Sequence, residues 1–380
     1  MSGPAPGSLC DVLPASAALL GIAGSADRLG VTESVAAQVD RVAVLLVDGL
    51  GWHLLPQLAP SAPLLACVLG GGTGRLTRLE CTFPSTTPSS LVSLGTGTPP
   101  GAHGILGFTV NVPGTDRVLT HIYWRSDSPG APPHAQWQPV PTWFERLERS
   151  GVATRAVLPQ LFVGSGLTDA AYRGATVRPA SPTDDYAQLM IDELHAAPGL
   201  VYGYIADLDT AAHVFGIGSP HWHQAAARVD MLLTLLVDAL PANTTLLVTA
   251  DHGGLNVPPQ ARVDLDTDRR LSAGIRVVAG EPRVRYLHTE PGAAADVRAA
   301  WSEVLDGRAV VYTREQAVAT GMFGPVDPRH LARIGDIVVI CTGDTAVLAT
   351  EHEPPEAARL VGFHGGATPV EMDIPLIVFE

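Results

Sequence analysis

Short apolar runs recur along the chain and alternate with longer amphipathic or alanine-rich stretches from about Arg41 onward. Val42–Val47, Leu200–Ile205 and Leu246–Ala250 are nearly continuous apolar runs, too short for buried helices and bounded by turn residues, so they read as strands buried on both faces. With the runs at Arg75–Glu80, Ala153–Leu158 and Ile374–Phe379 they predict a central sheet, and the first set extends to Leu200–Ala206 and Thr245–Ala250. Helices are predicted at Thr142–Ser150, Pro182–His195 and His221–Leu240. The second of these starts from Ser181 as N-cap, Pro182 at the first helical position and carboxylates in the first turn. Strands alternating with helices give an α/β fold whose mainly parallel sheet carries helices on both faces.

The pattern changes between Pro258 and Thr350. Strand-like pieces at Ile275–Val278, Arg283–His288, Ala309–Thr313 and Ile337–Cys341 flank a single helical stretch, Ala293–Leu305. This segment is expected to be a small α+β cap insertion at 258–350, with the catalytic α/β domain made of 1–257 and 351–380. The Gly and Pro clusters at Gly70–Gly74 and Ser126–Pro139 are expected to be loops.

A hydrophobic share of 46% against 16% charged residues belongs to a folded globular chain, and 24 basic against 38 acidic residues leave a net charge of −14. Such a surface repels polyanions, which argues against nucleic-acid polymers and anionic membranes as partners. A small phosphorylated substrate remains compatible, because bound metal ions reverse the field locally. Cys10, Cys67, Cys81 and Cys341 form neither a CxxC pair nor a dense framework. With no basic leader-like start and no run of about 18 apolar residues, the expectation is a soluble cytoplasmic protein that does not span a membrane. Nothing in the pattern specifies an oligomer.

The candidate chemistry lies where the runs end. Asp48 follows one strand in Asp48-Gly49-Leu50-Gly51, and Asp251-His252-Gly253-Gly254 follows another. Asp209 and His213 stand four apart after a third, so a helical turn would put them on one face, able to chelate one ion. Asp207 lies six residues from His213, a poorer helical spacing. His364 sits among glycines in Gly362-Phe363-His364-Gly365-Gly366, where the backbone can approach an ion closely. Singly, these motifs are equally turns, caps and loop histidines; together they would make two metal sites beyond the carboxyl ends of the strands. Thr86 and Thr87, in Phe83-Pro84-Ser85-Thr86-Thr87-Pro88, both offer a nucleophilic hydroxyl.

In these pieces, and in Gly95-Thr96-Gly97-Thr98-Pro99-Pro100-Gly101-Ala102-His103-Gly104, the chain resembles the alkaline phosphatase superfamily, in particular its nucleotide pyrophosphatase/phosphodiesterase branch. The resemblance runs in order from about residue 41 to 380 and implies an alkaline-phosphatase-like fold. It implies that Asp209, His213 and His364 hold one ion while Asp48, Asp251, His252 and the nucleophile hold the other. Mixed imidazole and carboxylate donors point to Zn²⁺, and two ions acting on one phosphoryl group are expected about 3.5–4 Å apart. The resemblance implies a nucleophile ten positions before the Gly of the following Thr-Gly turn, and counting back from Gly97 selects Thr87, at the start of a helix opening on Pro88; Thr86 competes, because a proline lies two residues after it, as in many phosphodiesterases of this branch. His103 is expected to be structural, and Asn111 is the candidate for binding a phosphoryl oxygen.

The implied activity is cleavage of phosphodiester or nucleotide pyrophosphate bonds through a phosphorylated or nucleotidylated threonine. Phosphomonoester or phosphonate hydrolysis is the alternative, and a non-catalytic metal-binding protein stands behind both. A sulfatase is disfavoured because Cys81-Thr82-Phe83-Pro84-Ser85 lacks the Cys/Ser-x-Pro-x-Arg pattern. No basic residue stands near Thr87 in sequence, which favours a diester; Arg125, Arg155 or an arginine of 258–350 would have to arrive through the fold to change that.

Overall fold

A computed structural model describes residues 7–35, 38–125, 127–128, 130–181 and 185–380. Its main sheet is built from β1 (Gly7–Ser8), β2 (Arg41–Val47), β3 (Arg75–Glu80), β6 (Thr154–Pro159), β7 (Thr176–Ala180), β8 (Gly199–Ile205), β9 (Thr244–Thr249) and β14 (Asp373–Phe379). A small hairpin, β4 (Thr109–Asn111) and β5 (Val118–Thr120), stands apart from it. The strand order is β1-β3-β14-β9-β2-β8-β6-β7. Neighbours from β9 to β7 run parallel, and β14 runs against both β3 and β9. β2, β8 and β9 are buried along almost their whole length, as strands covered on both faces must be.

The predicted strands of the main sheet fall within a residue of their observed ends, whereas the piece expected at Ile275–Val278 runs on to Glu281. β7 was not predicted: its side chains are largely exposed and it contains Pro179, both compatible only with an edge position. The helix expected from Pro182 begins instead at Tyr186, with Asp185 accepting the Gln188 N–H as its cap; Pro182 lies outside the described residues. The 126–139 stretch is not all loop, because His134–Trp137 forms a helical turn that buries Trp137. Among the described residues no helix is long and apolar enough to cross a membrane.

Between the chain's departure at Gly254 and its return at Phe363, a second sheet forms from β10 (Ile275–Glu281), β11 (Val284–Thr289), β12 (Ala309–Thr313) and β13 (Ile337–Cys341), antiparallel in the order β10-β11-β13-β12. Side chains alternate between its faces with the period of two that a pleated strand imposes. Val278, Leu287, Ile337, Val339 and Cys341 pack with Val297 and Trp301 of the helix Ala294–Val304. Ala279, Val284, Tyr286, Val338 and Ile340 join the core of the main sheet instead. The ends of this excursion are pinned together: Leu255 and Asn256 pair antiparallel with Phe363 and Gly362, returning His364 to the neighbourhood of His252.

The helix α1 (Thr87–Thr96) crosses α2 (Gly166–Tyr172) at Gly95, where an added Cβ would lie 2.1 Å from the Ala171 carbonyl oxygen. Gly95→Ala is therefore expected to lower stability by about 1–3 kcal/mol. Gly70→Ala, whose nearest contact would be an ordinary 3.5 Å, should change it by less than about 0.5 kcal/mol. Equal effects in a denaturant titration of the two variants would contradict this account of the helix crossing.

Candidate metal and nucleophile site

Three neighbouring parallel strands deliver the carboxylates. β9, β2 and β8 lie side by side, and their carboxyl ends lead to Asp251, Asp48 and, one helical turn on, Asp209. Two adjacent turns press together so tightly that a Cβ on Gly49, which has φ +74°, would sit 2.9 Å from Asp209 Cβ. A side chain there would separate Asp48 from Asp209. Asp251 Oδ1 accepts the Gly49 N–H at 3.2 Å and its neighbour His252 N–H at 3.0 Å, leaving Oδ2 buried with no partner. Tyr204, from β8, donates its hydroxyl to Asp48 Oδ2, and Asp48 Oδ1 is likewise buried and unpartnered.

The imidazoles are aimed in the same way. His213 Nδ1 faces Gly362 O at 2.8 Å, His252 Nδ1 faces Gly253 O at 2.9 Å and His364 Nδ1 faces Ser85 O at 2.9 Å. A carbonyl oxygen only accepts, so each Nδ1 carries a proton and each Nε2 turns toward the site. His213 Nε2 lies 3.1 Å from both Asp209 Oδ2 and His364 Nε2. His252 Nε2 lies 3.4 Å from Asp48 Oδ1, 3.3 Å from Asp251 Oδ2 and 3.2 Å from Thr87 Oγ1. The His252 and His364 rings stack at 3.6 Å between centroids. Among the described residues two groups have metal-ligand spacing, Asp209 with His213 and His364, and Asp48 with His252 and Asp209. Asp209 thus stands within reach of both groups, whereas the resemblance assigns it to one.

Acceptors that converge on one another in a cleft shielded from water require protons or cations between them, and burial with mutual repulsion shifts their pKa values accordingly. Burial, with Asp251 and Asp209 adding repulsion, pushes Asp48 well above the ordinary carboxylate range. Asp251 is pushed up to about 6 by burial and Asp209. Burial also works against the Asp209 charge, but His213, His364 and His252 outweigh it and hold Asp209 below its usual range. Burial likewise disfavours charge on His213, yet Asp209 prevails and raises it to about 9. Burial, then the neighbouring His252, depresses His364 to about 3. The donor set of six suits divalent ions: orphaned carboxylate oxygens face imidazole nitrogens whose tautomers are already fixed.

The two threonines are placed differently. Thr87 opens α1 and points Oγ1 at His252, while Thr86 is fully buried with its Oγ1 turned toward Glu281 and in no regular hydrogen bond. Asn111 lies buried in β4, its Oδ1 without a partner, and makes no hydrogen bond to Thr87 or the six donors among the described residues. His103 accepts the Ile105 N–H through Nδ1 and meets Ser93 through Nε2, away from the cleft. Asp207 faces outward, 3.7 Å from Arg228. Sequence reasoning missed Tyr204, because a tyrosine in an apolar strand carries no sign of which carboxylate it will meet.

A family model described as type I phosphodiesterase / nucleotide pyrophosphatase matches residues 42–367. No curated protein matches the chain. Murine ectonucleotide pyrophosphatase / phosphodiesterase 5 superposes with a TM-score of 0.69 at 20% identity, over 88% of this chain and 87% of that one. An inactive form of the murine protein, in complex with AMP, gives the same figures. Phosphonoacetate hydrolase from Sinorhizobium meliloti 1021, in complex with phosphonoformate, gives 0.63 at 20% identity, over 90% and 89%. These likenesses establish the fold.

A carboxyl raised by folding contributes stability below its unfolded value and loses it as the pH rises through its folded value, here from about 4 to about 6 for Asp251. In protein stripped by a chelator, Asp251→Asn should therefore raise stability at pH 8 by roughly 1–3 kcal/mol and leave it unchanged near pH 4. Denaturant titrations at the two pH values measure this; an Asn variant that is less stable at pH 8 would contradict the assignment.

Proposed function

The chain belongs to the type I phosphodiesterase / nucleotide pyrophosphatase family of the alkaline phosphatase superfamily, and we propose that it is a two-metal hydrolase of phosphodiester or nucleotide pyrophosphate bonds acting through a threonine-bound intermediate. Asp209, His213 and His364 would hold one divalent ion, and Asp48, Asp251, His252 and Thr87 the other, with Zn²⁺ as the metal the donors suit best. Such ions lower the pKa of a bound hydroxyl and offset charge on phosphoryl oxygens. The observation that carries the reading is the aim of Thr87 Oγ1 at His252 Nε2, beside two unpartnered carboxylate oxygens, while Thr86 is buried against Glu281.

The residues of the chain divide the work. Thr87 Oγ1 forms the new bond to phosphorus as the leaving oxygen departs, and water then breaks the threonine ester. Thr87 stands at the amino end of α1, where the helix dipole and the Thr87 and Ser89 N–H groups would favour the phosphoryl oxygens; Pro88 has no N–H and that of Ser90 donates to Thr86 O. The carbonyls of Gly362, Gly253 and Ser85 hold the imidazole protons away from the reacting side.

Charge supports a diester. All 24 basic residues are arginines, and those that might have supplied a compensating cation are committed elsewhere. Arg155 lies near the amino end of β6, opposite the cleft, bound to Glu193 and to the Glu193 and Ala197 carbonyls. Arg125 is exposed, 3.6 Å from Asp127. Arg283 and Arg285 pair with Glu371 and Glu353, and Arg333 is held by the Gly104 and Trp137 carbonyls over the Trp137 ring. A singly charged diester suits such a site better than a doubly charged monoester. The second reading, phosphonate or monoester hydrolysis, draws on the likeness to phosphonoacetate hydrolase.

Two assays test this reading. Thr87→Ala should cost about 10³-fold or more in kcat and leave metal uptake and folding intact, with Thr86→Ala far milder; the reverse order would move the nucleophile to Thr86. Side by side, bis(p-nitrophenyl) phosphate or a dinucleotide pyrophosphate should show a higher kcat/KM than p-nitrophenyl phosphate. A clear preference for the monoester would replace the diester reading with the second one.

A further inference from the structure

The tip of the β10–β11 hairpin, Glu281-Pro282-Arg283, is buried against the glycines that follow His364. Glu281 and Arg283 are 4% and 0% exposed, an unusual depth for charged residues at a hairpin tip. The Glu281 carboxyl lies against Gly365, where an ideal Cβ would fall 2.7 Å from its Cδ. Arg283 forms a two-pronged pair with Glu371, Nε to Oε1 at 2.9 Å and Nη2 to Oε2 at 2.8 Å, and also donates to Thr345 O. Glu371 Oε1 in turn accepts the Gly366 N–H at 2.9 Å. The same residue's carbonyl accepts the Gly253 N–H at 2.8 Å, beside His252.

The two glycines that receive these contacts directly follow His364. Gly365 also accepts a second restraint, donating its N–H to Ser85 Oγ at 3.2 Å, while His364 Nδ1 meets Ser85 O. We propose that the Glu281–Arg283 turn aims His364: Glu281 backs Gly365, and Arg283, through Glu371, fixes Gly366. The second sheet is then a positioning part of the metal centre as well as a neighbour of the cleft. A buried ion pair is a costly way to gain stability, because removing two charges from water offsets much of their attraction. It is a good way to fix one geometry, since a guanidinium fork admits a single approach to a carboxylate. The inference rests on the two-ion reading of the site.

The test is Zn²⁺ binding to the full chain after chelator treatment, followed by competition with a chromophoric chelator. The wild type should show two sites. Arg283→Met and Glu281→Ala should each weaken one of them by about tenfold or more and leave the other unchanged, and the weakened site should be the one that His213→Ala also weakens. Unchanged affinities in both variants overturn the inference alone, as does equal weakening of both sites. A wild type that takes up fewer than two ions overturns the two-ion reading and this inference with it. If Arg283→Met does not fold, Glu281→Ala decides, since it leaves no buried charge unpaired; loss of folding in both would make the turn a support of the core and overturn the proposal.

Discussion

The constraint on which the rest depends is electrostatic: two buried carboxylates, a half-buried third and three imidazole Nε2 atoms, all acceptors, are gathered at the ends of adjacent parallel strands. Lone pairs facing one another out of water repel, and each group answers within its means. Asp48 and Asp251 rise toward neutrality, Asp209 and His213 share a proton as an ion pair, and His364 gives up its charge. Divalent cations would satisfy all six at once. The cost of assembling such a cluster is the physical argument that it exists to bind something positive.

Everything around the cluster limits how it can relax. Gly49 lets two strand-end turns touch, Tyr204 occupies one oxygen of Asp48 so that the other faces the cleft, and three backbone carbonyls lock the histidine tautomers. The Thr86–Thr87 turn is tied to the same frame through Ser85, which bridges to Gly365 and accepts from His364. Thr87 and the donors therefore sit on one rigid arrangement, as a reaction that gains its rate from positioning and charge offset requires.

Much of this was legible in the sequence. An apolar run ending in Asp marks a buried strand delivering a carboxylate beyond its carboxyl end, and the spacing of Asp209 and His213 marks one helical face; the structure shows both arrangements, which depend only on local periodicity. The resemblance selected Thr87 through its distance from Gly97, Pro88 marked a helix start beside it, and the structure opens α1 on Thr87 and turns that residue toward His252. The role of Tyr204, the depth of Glu281 and the Arg283–Glu371 pair were not legible. Each joins segments far apart in the chain, 156 residues for Tyr204 with Asp48 and 88 for Arg283 with Glu371, and no local pattern encodes such a partner. The edge strand β7 escaped for a different reason: half exposed and interrupted by Pro179, it lacks the apolar signal of its neighbours.

The most direct measurement is an anomalous difference map, collected at the zinc edge, from crystals of the wild-type chain grown with Zn²⁺. Two peaks are expected in the cleft, one bounded by Asp209, His213 and His364 and the other by Asp48, Asp251, His252 and Thr87 Oγ1. A single peak, or two peaks with Thr87 turned away from both, would contradict the account.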